Sequence, residues 1–210
     1  MRLSGCVAAL LAAGWAHAAT LEVAIVDAAG HPLPDAAAYA VPATGPIEAK
    51  ARPTAVIEQV EREFVPYVTV VQVGTAVSFP NRDAILHHVY SFSPAKPFEI
   101  RLYTGKSPTE IVFDKAGTVT LGCNIHDWMT AYVLVVATPH FARADAKGVA
   151  RIADLPAGSY QLHAWHPQQR AAVAPHAVTV QAAGTERAAF VVDVAPRKAR
   201  YKPPLDRLKY

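Results

Sequence analysis

The stretch Gly122-Cys123-Asn124-Ile125-His126-Asp127-Trp128-Met129 constrains this chain more than any other. A thiol, an imidazole and a thioether stand there at spacings of three and three, between two β-like runs, 118–121 and 131–137. A short loop joining two strands turns all three side chains toward one point. The chain has one other cysteine, Cys6, and it lies in a start that reads as an export signal. Met1-Arg2, the apolar run 3–13 and Ala16-His17-Ala18 supply its basic end, core and A-x-A site, with cleavage expected after Ala18. Leu3-Ser4-Gly5-Cys6 mimics a lipoprotein box but has no apolar segment before it, so no lipid anchor is expected. Cys123 is then the single cysteine of the mature chain. A lone cysteine in an exported protein is an intermolecular bridge, a reactive thiol or a metal ligand. The neighbouring His126 and Met129 select the last.

A soft thiolate with two imidazoles and a weak axial thioether is the ligand set of an electron-transfer copper site. The second imidazole comes from elsewhere, and the one tandem histidine is His87-His88, in Asn81-Arg82-Asp83-Ala84-Ile85-Leu86-His87-His88-Val89. Structural zinc usually shows paired cysteines or histidines, and thioether is a poor zinc ligand. Copper, one ion per chain, is the metal these residue types suit.

Together the two segments resemble the cupredoxins, the plastocyanin- and amicyanin-like blue copper family. The family shows Asn-x-Asp-x-x-x-His followed by Cys-x-x-His-x-x-Met, and the resemblance covers roughly residues 53–138. It implies a Greek-key sandwich with His87, Cys123 and His126 as the principal ligands and Met129 as the weak axial one. It also implies that Asn81 ties its strand to the ligand loop, where the residues alone read it equally well as an ordinary turn residue, and that His126 lies nearest the surface. Plastocyanin-like chains read His-Asn-Val where this one reads His87-His88-Val89, so the family register makes His87 the ligand. The period of two along a strand agrees, because it sends His88 to the opposite face, for an outer-sphere or surface role.

The rest of the chain is a succession of short alternating runs. Leu21, Val23 and Ile25 alternate with Glu22 and Ala24 as a strand, and 36–41 reads as another. Strands are also expected at 54–59, 67–73, 76–79, 98–103 and 109–113, with turns at Gly74 and at 115–117. Beyond Thr138, Asp145-Ala146-Lys147-Gly148 and Leu155-Pro156-Ala157-Gly158 are turns flanking 149–153 and the alternation of Tyr160, Leu162 and Ala164. Runs 177–181 and 188–194 follow. This second part resembles the carboxypeptidase regulatory-like, or transthyretin-like, β-sandwich. The opening of that family is matched by Asp27-Ala28-Ala29-Gly30-His31-Pro32-Leu33, about a hundred residues earlier. Either the opening strands complete a sandwich interrupted by the copper domain, or they add to the copper domain itself.

The expected organisation is therefore a signal (1–18), opening strands (20–43), a copper domain (50–138), an immunoglobulin-like β-sandwich (139–196) and a basic, mobile tail (197–210). The fold class is all-β: a Greek-key cupredoxin sandwich plus a smaller immunoglobulin-like one. His31, His140 and His176 read as surface residues, and His163 and His166 point to opposite faces of a strand.

These features limit the function. A formal net charge of +3 is too small to imply a polyanion partner, and no basic–aromatic platform for nucleic acid is present. Apart from the signal, no apolar run approaches the ~18 residues that span a bilayer. The expectation is an exported, periplasmic one-electron carrier and not an enzyme. Its partners would be redox proteins such as a c-type cytochrome or a periplasmic dehydrogenase, with no nucleic acid and no membrane span. A copper carrier or buffer would use the same ligands but tends to show Met- or His-rich clusters. A copper oxidase or nitrite reductase needs further paired histidines. Chains of this appearance are often labelled methylamine-utilisation proteins, although nothing in the sequence encodes amine chemistry.

Overall fold

The computed structural model describes residues 19–47 and 53–196, which form strands and turns without a helix. The expected signal and basic tail lie outside the described residues. Two opening strands, β1 (Ala19–Val26) and β2 (Ala37–Pro42), come first. Ten follow: β3 (Thr54–Val56), β4 (Glu58–Val60), β5 (Glu63–Val65), β6 (Val68–Gln72), β7 (Thr75–Ser78), β8 (His87–Ser91), β9 (Phe98–Tyr103), β10 (Ile111–Phe113), β11 (Gly117–Cys123) and β12 (His126–Val136). The last five are β13 (Phe141–Arg143), β14 (Val149–Leu155), β15 (Gly158–Trp165), β16 (His176–Val180) and β17 (Thr185–Val191).

The larger sandwich sets the sheet β6-β12-β11-β8-β9 against β10-β7-β3, with the β4–β5 hairpin at its side. Its topology is a Greek key, because the chain leaves β9, crosses to the other sheet as β10 and returns as β11 beside β8. Inward-facing Phe79, Val89, Phe113, Leu121 and Val133 fill the space between the sheets. Burying side chains of this size stabilises by about 1.5–3 kcal/mol each. The strand expected at 54–59 is two strands. Ile57 is wholly buried between them, and the chain there leaves β7, the partner of β3, to pair β4 with β5.

The smaller sandwich stacks β14-β1-β17 on β13-β2-β15-β16. The alternation of Leu21, Val23 and Ile25 makes β1 a strand with one buried face, and that face packs with Ile152, Leu155, Leu162 and Phe190. β1 lies between β14, antiparallel, and β17, parallel, while β2 lies between β13 and β15. Gly148 closes the turn before β14 with φ +72°, and a Cβ there would stand 2.5 Å from the Ile25 carbonyl oxygen. Only glycine fits such a turn.

A third, small core joins the sandwiches, with Ala37 and Trp165 from one side and Val68, Leu134 and Val136 from the other. Tyr132 meets the edges of both Tyr67 and Trp165. β12 is long enough to serve both purposes. Its first residues adjoin the turn that carries Cys123 and His126, and its last belong to this junction.

Candidate metal centre

β11 and β12 are joined by Asn124 and Ile125 alone, and their last paired residues are Cys123 and His126. The register shifts between Gly122 and Cys123, so the strand ends bend and both side chains turn inward. β8 lies next to β11 through the pair Gly122–Tyr90, which brings His87 alongside. A Cβ on Gly122 would stand 2.7 Å from the Tyr90 ring. Glycine here lets that ring lie across β11 one residue from Cys123.

The donor atoms converge. Cys123 Sγ is 3.7 Å from His126 Nδ1 and 4.0 Å from His87 Nδ1. All three donors lie within 4.8 Å of one another, and all three residues are buried. Bonds of about 2.0–2.3 Å from one ion to nitrogen and sulfur space such donors by roughly 3–4 Å. Met129 is buried in the same apolar cluster as Cys123. Two imidazoles, one thiolate and a thioether without a carboxylate oxygen suit copper better than zinc.

The other nitrogen of His87 is occupied. Nε2 stands 2.7 Å from Asp83 Oδ2, and the same carboxylate accepts the backbone N–H groups of Glu61 and Arg62. Burial pushes the Asp83 carboxyl up, but the hydrogen bonds from His87, Arg62 and Glu61 outweigh it and hold the pKa below the usual range. An ionised Asp83 makes Nε2 the protonated nitrogen and leaves the Nδ1 lone pair toward Cys123. His126 has its pKa lowered by burial first, with smaller contributions from the neighbouring His87 and Arg62, against an opposing pull from Asp83. It is therefore a neutral imidazole at neutral pH, the form that can ligate.

His88 points away from this cluster. It pairs with Glu99, Nε2 to Oε1 at 2.8 Å, and packs near Tyr90. Asn81 departs from the expectation attached to it. Its amide donates to the carbonyls of Ile85 and Tyr103, and its oxygen accepts from Asp83 N–H, so it braces its own loop against β9 and not against 123–129. Tyr103 packs beside this brace, with its hydroxyl donating to the Phe79 carbonyl, and burial pushes its pKa up to about 12. Trp128 is half-buried with its ring 5.1 Å from that of His126, while Asp127 is exposed.

The remaining histidines among the described residues are engaged elsewhere. His163 stacks on Tyr39, His176 on Phe190, and His166 Nδ1 accepts from Gln168 N–H. His31 pairs with Asp27 on an exposed turn. His140 is half-buried against the Tyr160 ring rather than on the surface.

Two residues at the site had no role in the sequence reading. Asp83 stands four before His87, a spacing that could have suggested a partner for the ring. Arg62 sits on the turn between β4 and β5, where Glu61 and Arg62 both have positive φ, and its charge reaches His126. No local pattern announces that second placement.

No protein-family model and no curated protein matches the chain. Solved structures similar to it include a reduced tryptophan-to-tyrosine mutant of amicyanin, at 22% identity over 47% of this chain and 98% of that one, with a TM-score of 0.37. A purple cupredoxin from Nitrosopumilus maritimus is 22% identical over 40% of this chain and 99% of its own, with a TM-score of 0.35. A Cu-containing nitrite reductase from Thermus scotoductus SA-01 is 24% identical over 44% of this chain, with a TM-score of 0.37, and the match spans only 25% of that reductase. Identities and TM-scores are low throughout, so the functional reading rests on the donor set.

Proposed function

We propose that the chain is an exported one-electron carrier with a single type 1 copper, held by His87, Cys123 and His126 with Met129 as the weak fourth ligand. The observation that carries this reading is the convergence of His87 Nδ1, Cys123 Sγ and His126 Nδ1 within one buried space. Copper in such a site supplies a one-electron couple, and a soft donor set with one weak ligand accommodates both oxidation states.

The protein's own residues do the rest. Strand ends fix Cys123 and His126, Asp83 holds the His87 ring in one tautomer, and the Phe79–Leu121 core behind them keeps the site dry. On the outer side His126 adjoins a rim of half-exposed Leu86, Leu102 and Ile125. A small apolar rim suits the brief encounters of redox proteins, whose interfaces are small and must separate quickly. A c-type cytochrome or a periplasmic dehydrogenase is the class of partner proposed.

The competing reading is a copper carrier or buffer with the same ligands. Stopped-flow oxidation of the reduced protein by a c-type cytochrome separates the two. An electron carrier exchanges electrons rapidly and reversibly without losing metal, and Ile125→Glu at the rim slows the exchange. Slow exchange accompanied by transfer of the copper itself to an acceptor favours the buffer. Removing residues 197–210 extends the test to the basic tail. If the tail steers, its removal slows exchange with an acidic partner at low salt only.

A further inference from the structure

Beside His126 opens a cavity of about 620 Å³, lined chiefly by Leu86, Leu102, Ile125 and Arg62. Its size lies within the range of small-molecule sites. Its walls are mostly aliphatic, and no carboxylate lines it. Arg62 and the His126 imidazole are the polar groups of this lining, and Arg62 alone carries a fixed charge. The arginine is 8% exposed, its Nη1 has no hydrogen-bond partner, and its guanidinium takes part in none of the ion pairs among the described residues.

The backbone holds that arginine in place. Glu61 and Arg62 form a tight turn with φ of 51° and 60°, and Asp83 accepts both of their N–H groups at 2.7 and 2.8 Å. The Asp83 carboxylate is committed to these two backbone donors and to His87. A buried guanidinium nitrogen with no acceptor is unfavourable, because its N–H donors are taken from water and not compensated. A planar fork of donors pairs best with a carboxylate. Aliphatic walls beyond it ask for hydrocarbon.

We propose that this cavity binds a small monocarboxylate with an apolar tail, its carboxylate on Arg62 and its tail against Leu86, Leu102 and Ile125. The site does not depend on the metal reading, since none of the groups invoked here needs to ligate.

The test is an amide NMR titration of the full chain, metal-free and copper-loaded, with benzoate, its neutral analogue benzamide, and inorganic phosphate. The proposal expects saturable benzoate shifts at Arg62, Leu102 and Ile125 in the metal-free protein, with benzamide and phosphate each at least about tenfold weaker, a difference of roughly 1.4 kcal/mol. Arg62→Gln removes the preference for benzoate over benzamide. Leu102→Trp, at an exposed position outside the turn, narrows the cavity and weakens benzoate while leaving Arg62 intact. Equal binding of benzoate and benzamide would overturn the role of Arg62, and equal binding of phosphate would overturn the role of the walls. Absence of a saturable shift would overturn the site altogether. If Arg62→Gln does not fold, the ligand comparison and Leu102→Trp still decide. Failure here with a normal copper spectrum would leave the electron-carrier reading untouched.

Discussion

His87 Nε2 donates to Asp83 Oδ2 at 2.7 Å, while Nδ1 of the same ring faces Cys123 Sγ at 4.0 Å. The two ends of one imidazole are thereby given different tasks. The carboxylate end fixes the tautomer, and the other end keeps a lone pair toward Cys123.

Asp83→Asn should show what this costs. The asparagine has one acceptor oxygen where Asp83 serves three donors, His87 and the N–H groups of Glu61 and Arg62. A metal ligand that loses its orienting partner typically loses about 10–100-fold in affinity. A chelator-competition titration should find Cu(II) affinity lowered in that range and the midpoint potential raised, because the oxidised ion loses the more basic imidazole. Unchanged affinity and potential would reduce Asp83 to a turn residue.

His88 should tolerate replacement. Its ring is turned to Glu99, which is about half exposed, and away from the donor cluster. His88→Ala should leave copper binding intact and His87→Ala should abolish tight binding, both read by equilibrium dialysis. The reverse result would move the ligand one residue along β8.

The opening strands should be inseparable from the end of the chain. β1 is the middle strand of one sheet of the smaller sandwich, and β2 is an inner strand of the other. Residues 139–196 alone would lose both and expose unpaired edges. Expressed without 20–43 they should give no cooperative thermal transition, and a short linker joining 20–43 to 139–196 should restore one. Cooperative unfolding of 139–196 alone would contradict this.

Acid should weaken the turn before β14. Asp145 is held below its ordinary value of 3.8 by the Val149 N–H first and then by the Arg151 side chain, against a small opposing effect of burial. A carboxyl depressed in the folded state contributes stability that is complete above the unfolded value and is lost as pH falls through the folded one. Denaturant midpoints measured from pH 6 to pH 2 should therefore fall below about pH 4, and Asp145→Asn should flatten that limb. Its remaining amide oxygen can still accept from Lys147 and Val149, as Asp145 Oδ1 does. An identical acid limb in the variant would remove Asp145 from the account.

Much of this was legible in the sequence, and for local reasons. Cys123 and His126 converge because three residues across a two-residue turn face one way, and His87 and His88 diverge because strand side chains alternate. β1 was legible from Leu21, Val23 and Ile25. The three-residue strands β5 and β13 were not, since three residues carry no period, and the break at Ile57 was hidden because its apolar side chain continues the pattern. Arg62 and Asp83 were missed for another reason. Their placement depends on a turn about twenty residues away in sequence, and periodicity within a strand carries no information about such contacts. Asn81 takes the turn role rather than the tie to the ligand loop, bonding Asp83 N–H and the Ile85 carbonyl in its own loop and reaching β9 through Tyr103.

The central claim is that Cys123 Sγ binds copper beside two imidazoles, and the visible absorption spectrum of the full chain titrated with Cu(II) tests it most directly. The account predicts an intense thiolate-to-copper charge-transfer band saturating at one equivalent and absent in Cys123→Ser. A protein that stays colourless with copper, or fills the site with zinc and rejects copper, would contradict it.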